Sequence, residues 1–187
     1  LLRRRLIAEG TEAAGRDYAF THHKVQEVVY AALPRRRRQF LHGQVAAAME
    51  QLFAAQIQEM AGELAFHFEQ ALQLDPTQTD KAIAYLQQAG DQARRAHAHQ
   101  EAMDFYRRAL ALVETVPPER RGVGWQLEMA AQLHESLGDL LELLGRPDEA
   151  REAYREALVS VPEQDRIWQS RLHRRTGKTW EVRHDHG

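Results

Sequence analysis

"QEAMDFYRRALALVETVP", residues 100–117, and "DEAREAYREALVSVP", residues 148–162, decide the fold. Laid on each other, both read Glu-Ala-x-x-x-Tyr-x-x-Ala-Leu and both end on Val-Pro. Ala102, Tyr106, Ala109 and Leu110 stand against Ala150, Tyr154, Ala157 and Leu158. A third, weaker copy is "ELAFHFEQALQLDP", residues 63–76, with Phe68, Ala71, Leu72 and Pro76. The segments before the copies match as well. "YLQQAGDQA" (85–93) and "HESLGDLL" (134–141) place Gly90 and Gly138 twelve residues ahead of Ala102 and Ala150. Self-similarity of helical segments at a fixed offset is the mark of a stacked repeat, in which each unit buries its apolar face only against its neighbours.

The rest of the chain supports helices. It is rich in Ala, Leu, Gln, Glu and Arg, the strong helix formers. Proline in a helix interior removes a hydrogen bond and clashes with the preceding turn. Pro34, Asp75-Pro76, Pro117-Pro118, Gly145-Arg146-Pro147 and Pro162 therefore separate elements. They predict helices near 21–33, 35–54, 58–73, 79–97, 100–114, 121–144, 148–160 and 164–183. Strand signal is confined to "EGTEAAGRDYAF" (9–20), two short ends around a polar glycine-containing middle, which predicts a small hairpin.

Small residues where paired helices touch, an aromatic between repeats and a terminal Pro together resemble the tetratricopeptide repeat. Leu137, Gly138, Gly145, Ala150, Tyr154, Ala157 and Pro162 carry the resemblance best. Leu86 and His134 stand where the family has Trp. Ala102 and Ala150 lie 48 residues apart, against about 34 in the family. The surplus falls around "PPERRGVGWQLEM", so the helix there should be longer. The expected fold is all-α, a right-handed superhelix of helix hairpins, with units at 35–76, 79–117 and 121–162 and a partial one at 164–187.

Residues 1–34 lie outside the repeat. A helix end, a hairpin, Tyr-x-Phe-x-His, a helix with Val25, Val28, Val29 and Leu33, and an Arg-rich helix start follow in order. Tyr18, Phe20, His22, Val25, Glu27, Tyr30, Arg37 and His42 make this piece resemble the end of the winged helix that precedes tetratricopeptide repeats in bacterial signal-transducing NTPases of the STAND/AAA type. The resemblance implies a sensor arm, contacting an NTPase module upstream in a longer chain that serves as a regulator. The opening "LLRRRLIAEG" has no initiator Met and is read as the start of a piece.

Composition narrows the function classes. Hydrophobic residues make up 43% and charged residues 28%, with a formal net charge of −2, as in ordinary globular domains. There is no cysteine, hence no disulfide frame and no thiolate metal site; a cytoplasmic location is expected. No apolar run reaches the length of a membrane span.

Candidate chemistry is sparse. Gly177-Lys178-Thr179 ends like a phosphate loop, yet Leu172 occupies the place of the first glycine and no strand precedes it. In repeat register, Gly177 matches Gly90 and Gly138. Thr176 and Trp180 then take the Leu and aromatic positions of a further first helix. Phe68, Tyr106, Tyr154 and Trp180 are read as core. His97 and His99, two apart on a helix, should point to different faces; His184-Asp185-His186 is the other histidine cluster, and no His pair has helical metal spacing. His22 is read as a hydrogen-bonded, partly buried histidine. No catalytic, cofactor-binding or metal residues are assigned, and no cofactor is expected.

In tetratricopeptide arrays the concave surface, lined by the first helix of each pair, binds partners. Carried over, it presents Gln87, Asp91, Arg94 and Arg95, then Glu135, Asp139 and Glu142, then Arg171, Arg174, Arg175 and Lys178. This order is basic, acidic, basic, and implies a protein or peptide partner of mixed charge. Acidic residues at 91, 135 and 139 argue against capture of a peptide's terminal carboxylate. The expectation is a non-catalytic protein-interaction module. Two alternatives stand beside it. One is a free-standing scaffold; the other is a DNA-contacting regulator using Arg3–Arg5 and Arg35–Arg38.

Overall fold

A computed structural model describes residues 7–9 and 18–181. The hairpin is present: β1 (Ile7–Glu9) pairs antiparallel with β2 (Tyr18–Phe20), with Ile7 opposite Phe20. Its turn, Arg3–Arg5 and His184-Asp185-His186 lie outside the described residues. Nine α-helices follow among the described residues: α1 (His23–Ala32), α2 (Arg35–Leu52), α3 (Ala61–Ala71), α4 (Thr79–Arg95), α5 (His99–Thr115), one-turn α6 (Pro118–Arg121), α7 (Val123–Leu143), α8 (Pro147–Ser160) and α9 (Arg166–Glu181). Each packs on the next along the array: α2 on α3, α3 on α4, α4 on α5, α5 on α7, α7 on α8, α8 on α9. This is an all-α, tetratricopeptide-like helical repeat.

Helix boundaries follow the breakers. Pro76 opens a 3-10 turn before α4, with Asp75 accepting from the Thr77 amide at 3.0 Å. Pro147 occupies the first turn of α8, where its missing N–H costs nothing. Gly145 takes φ +68 between α7 and α8, a conformation cheap only for glycine. The 48-residue interval is accounted for by α6 and by the 21 residues of α7.

Each clear hairpin closes on a glycine and a tyrosine. Tyr106 and Tyr154 are fully buried. A Cβ on Gly90 would sit 2.5 Å from the Tyr106 ring, and one on Gly138 would sit 2.5 Å from the Tyr154 ring. Only glycine lets α5 approach α4, and α8 approach α7, this closely. Ala102, Ala109, Ala150 and Ala157 are likewise fully buried, so backbones meet across small side chains. Between hairpins, the Phe68 ring stacks on Tyr85 at 5.5 Å.

Three expectations need correction. His97 and His99 do not share a helix: His97 sits in the turn after α4 at φ +60, and His99 begins α5, so their rings meet edge to face at 5.8 Å. His22 is exposed; the buried histidine of this region is His42. Trp180 is 55% exposed rather than core: among the described residues no helix packs over that side of α9. Its ring instead carries the Arg151 guanidinium at 4.0 Å. Consistently, a Cβ on Gly177 would meet nothing within 4 Å.

Candidate functional site

Tyr106 and Tyr154 are buried, and their hydroxyls need acceptors. Tyr106 donates to Asp91 at 2.7 Å. Tyr154 donates to Asp139 at 2.9 Å and to Glu142 at 3.1 Å. Both phenols are pushed well above their usual range, first by burial and then by the neighbouring carboxylates. Asp91 and Asp139 follow the two packing glycines directly. The chain thus repeats Gly-Asp followed, sixteen residues after the glycine, by Tyr. Reading the aspartates only as partner contacts missed this role. The signal was present in the aligned copies, since a buried tyrosine always raises the question of its acceptor.

The acidic band of α7 and the basic band of α9 lie against one another. Glu135 is only 8% exposed. It accepts from the Trp168 indole at 2.7 Å and from Arg171 at 2.8 Å, with Arg175 Nε at 3.5 Å. Arg175 also pairs with Asp139, and Lys178 reaches Glu142 at 2.7 Å. Glu135 is therefore a structural anchor. The last pair has the most exposed cation of the three, the Lys178 side chain being 67% exposed.

The first band stands apart. Gln87, Asp91 and Arg94 on α4 are half-buried and Arg95 is exposed. At the far end, Asp139, Glu142, Leu143, Arg174, Arg175 and Lys178 line a groove of about 650 Å³. Leu143 is 64% exposed and Arg174 is exposed beside it. Of the predicted partner-binding residues, the structure brings together Glu135, Asp139 and Glu142 with Arg171, Arg175 and Lys178. Arg174 shares their groove, and the α4 quartet is separate.

Gly177-Lys178-Thr179 lies inside α9. The Thr179 hydroxyl is buried and donates to the Thr176 carbonyl at 2.6 Å, so no loop forms there to cradle a phosphate. Among the described residues no group of three or more His, Asp or Glu is arranged to hold a metal. Arg35–Arg38 wind around the first turn of α2, and three of them are engaged separately. Arg35 donates to Gln73, Arg37 lies 5.4 Å from the Phe40 ring centroid, and Arg38 lies 5.1 Å from that of Tyr30.

Tyr30 ties α1 to the array. Its hydroxyl lies 2.9 Å from His42 Nε2, and His42 Nδ1 lies 2.8 Å from His67 Nδ1 on α3. Burial lowers the pKa of His42, helped by His67 and Arg38; burial also lowers that of His67, opposed by Glu63.

Residues 131–174 match the model of the tetratricopeptide repeat. The match runs from within α7 through α8 into the first half of α9 and includes the Gly138–Tyr154 contact. Comparison with curated proteins finds no match. Tetratricopeptide repeats belong, as a class, to protein-interaction modules. No described helix is long and apolar enough to cross a membrane.

Proposed function

We propose that the chain is a non-catalytic interaction and sensor arm of a larger regulatory NTPase or transcriptional regulator. It takes a partner protein or peptide on the face built by α4, α7 and α9. The observation that supports this most is the groove at Asp139, Glu142, Leu143, Arg174, Arg175 and Lys178. Exposed ion pairs contribute only about 0.2–1 kcal/mol, so an incoming carboxylate can replace Glu142 at Lys178 with little loss. Arg174 offers a second cation, and Leu143 offers apolar contact. The ligand is thus a segment that pairs acidic side chains with an apolar one. The arrangement of hairpin, α1 and repeat array agrees with the winged-helix resemblance and supports placing the arm behind an NTPase module.

The test starts with the reading frame upstream of Leu1. A G-x-x-x-x-G-K-[ST] loop after a predicted strand supports the regulator reading; a start codon beside Leu1 leaves a free scaffold. The upstream module, produced separately, is then titrated calorimetrically against the array. Binding that Arg174→Glu with Lys178→Glu weakens at least about tenfold supports this face. Binding indifferent to both substitutions removes it.

A further inference from the structure

A second groove, of about 640 Å³, opens between α3 and α5 over the C-terminal half of α4. Its α4 residues, Ala89, Gln92 and Ala93, lie on the side of that helix opposite Gln87, Asp91 and Arg94, as 100° per residue requires, and Ala96 follows at the helix end. It is therefore separate from the face invoked above. The floor is alanine, and the walls are Phe66 and Phe105. Phe66 is 46% exposed on a helix whose other large apolar residues, Leu64 and Phe68, are buried.

Charge defines what fits. Glu59, Glu63 and Glu101 stand on the rim. The lining cation Arg108 is already held by Glu69 and Asp104. Burial keeps the lining His67 toward its neutral form. The N-termini of α3 and α5 add about half a positive charge each, which offsets only part of three carboxylates. An apolar slot inside a net negative rim selects an apolar side chain flanked by lysine or arginine.

We propose that this groove is a docking site for a basic peptide segment of a partner protein, anchored by an aliphatic or aromatic side chain between Phe66 and Phe105. The probe is a labelled ten-residue peptide with two central leucines and a Lys-Arg pair on each side, followed by fluorescence anisotropy at low salt. Binding at about 10–100 µM is expected. Affinity should fall at least about tenfold for Glu63→Lys with Glu101→Lys, and also for Phe66→Ala, with helicity unchanged. Glu59→Lys, which lies outside the helices, provides a rim variant should the double variant unfold. Arg174→Glu with Lys178→Glu should leave this binding alone, which separates it from the first groove. Equal binding of a peptide with serines for leucines would overturn the proposal, as would insensitivity to the rim variants or no binding at millimolar peptide.

Discussion

At the scale of single residues, Gly138 and Gly177 make opposite predictions from the same substitution. Alanine is about 1 kcal/mol better than glycine inside a helix. At Gly177 the new methyl meets nothing, so Gly177→Ala should raise the melting temperature. At Gly138 it meets a fully buried tyrosine ring at 2.5 Å, and overpacking of that kind costs about 1–3 kcal/mol. Gly138→Ala should therefore lower stability despite its better propensity. Thermal unfolding followed by circular dichroism checks both signs. Glu135→Gln should cost about 1–3 kcal/mol, because Arg171 and Arg175 lose the charge they pair with. Lys178→Gln, at the exposed end of the ladder, should change stability by less than about 1 kcal/mol.

The two facing histidines give a pH dependence with a definite sign. His42 and His67 are both held below the ordinary value of 6.5. The unfolded chain therefore takes up protons first as the solution is acidified. The stability they contribute is present above 6.5 and is lost as pH falls toward their folded values. Two protonated rings would also place N–H groups against each other across 2.8 Å. The urea midpoint should drop between pH 7.5 and pH 5.5, and His67→Gln should flatten that drop.

At the scale of elements, most helices were legible from their breakers. Proline and glycine act locally, so Pro34, Pro76, Pro117, Pro147 and Pro162 placed boundaries to within a few residues. The hairpin was legible too, two residues late at its first strand. What escaped was set by context. A histidine two residues from another looks helical until the Ala98 turn is known. Trp180 reads as core from its repeat register alone, and its exposure is visible only once the elements around α9 are placed. The face of α7 was legible as acidic and that of α9 as basic. Their mutual pairing was not, because nothing local states which helices lie side by side. α9 is held by that pairing together with buried Trp168 and Leu172. Raising the salt should weaken the polar part only, so hydrogen exchange in α9 should quicken with salt while α4 and α5 stay protected.

At the scale of the whole molecule, two kinds of contact divide the work. Within a hairpin, shape closes the pair: glycine under tyrosine, alanine against alanine. Between hairpins, polar groups help to set the alignment. Glu50 of α2 accepts from Tyr85 at 2.8 Å and from Lys81 at 2.6 Å on α4, and Glu69 of α3 holds Arg108 of α5. Chemistry at the surface is correspondingly spread out: one groove lies over α3, α4 and α5 and another over α7 and α9.

The Gly138–Tyr154 contact also sets a rule for change. Neither partner can vary alone: a methyl at 138 needs a smaller ring position at 154, and a smaller side chain at 154 leaves a void over 138. Gly138→Ala and Tyr154→Leu should each be harmful, and their combination should cost less than the sum. Because both partners belong to one hairpin, the compensation is inherited as a single cassette. Such a hairpin carries its own fastening wherever it is copied, inserted or exchanged.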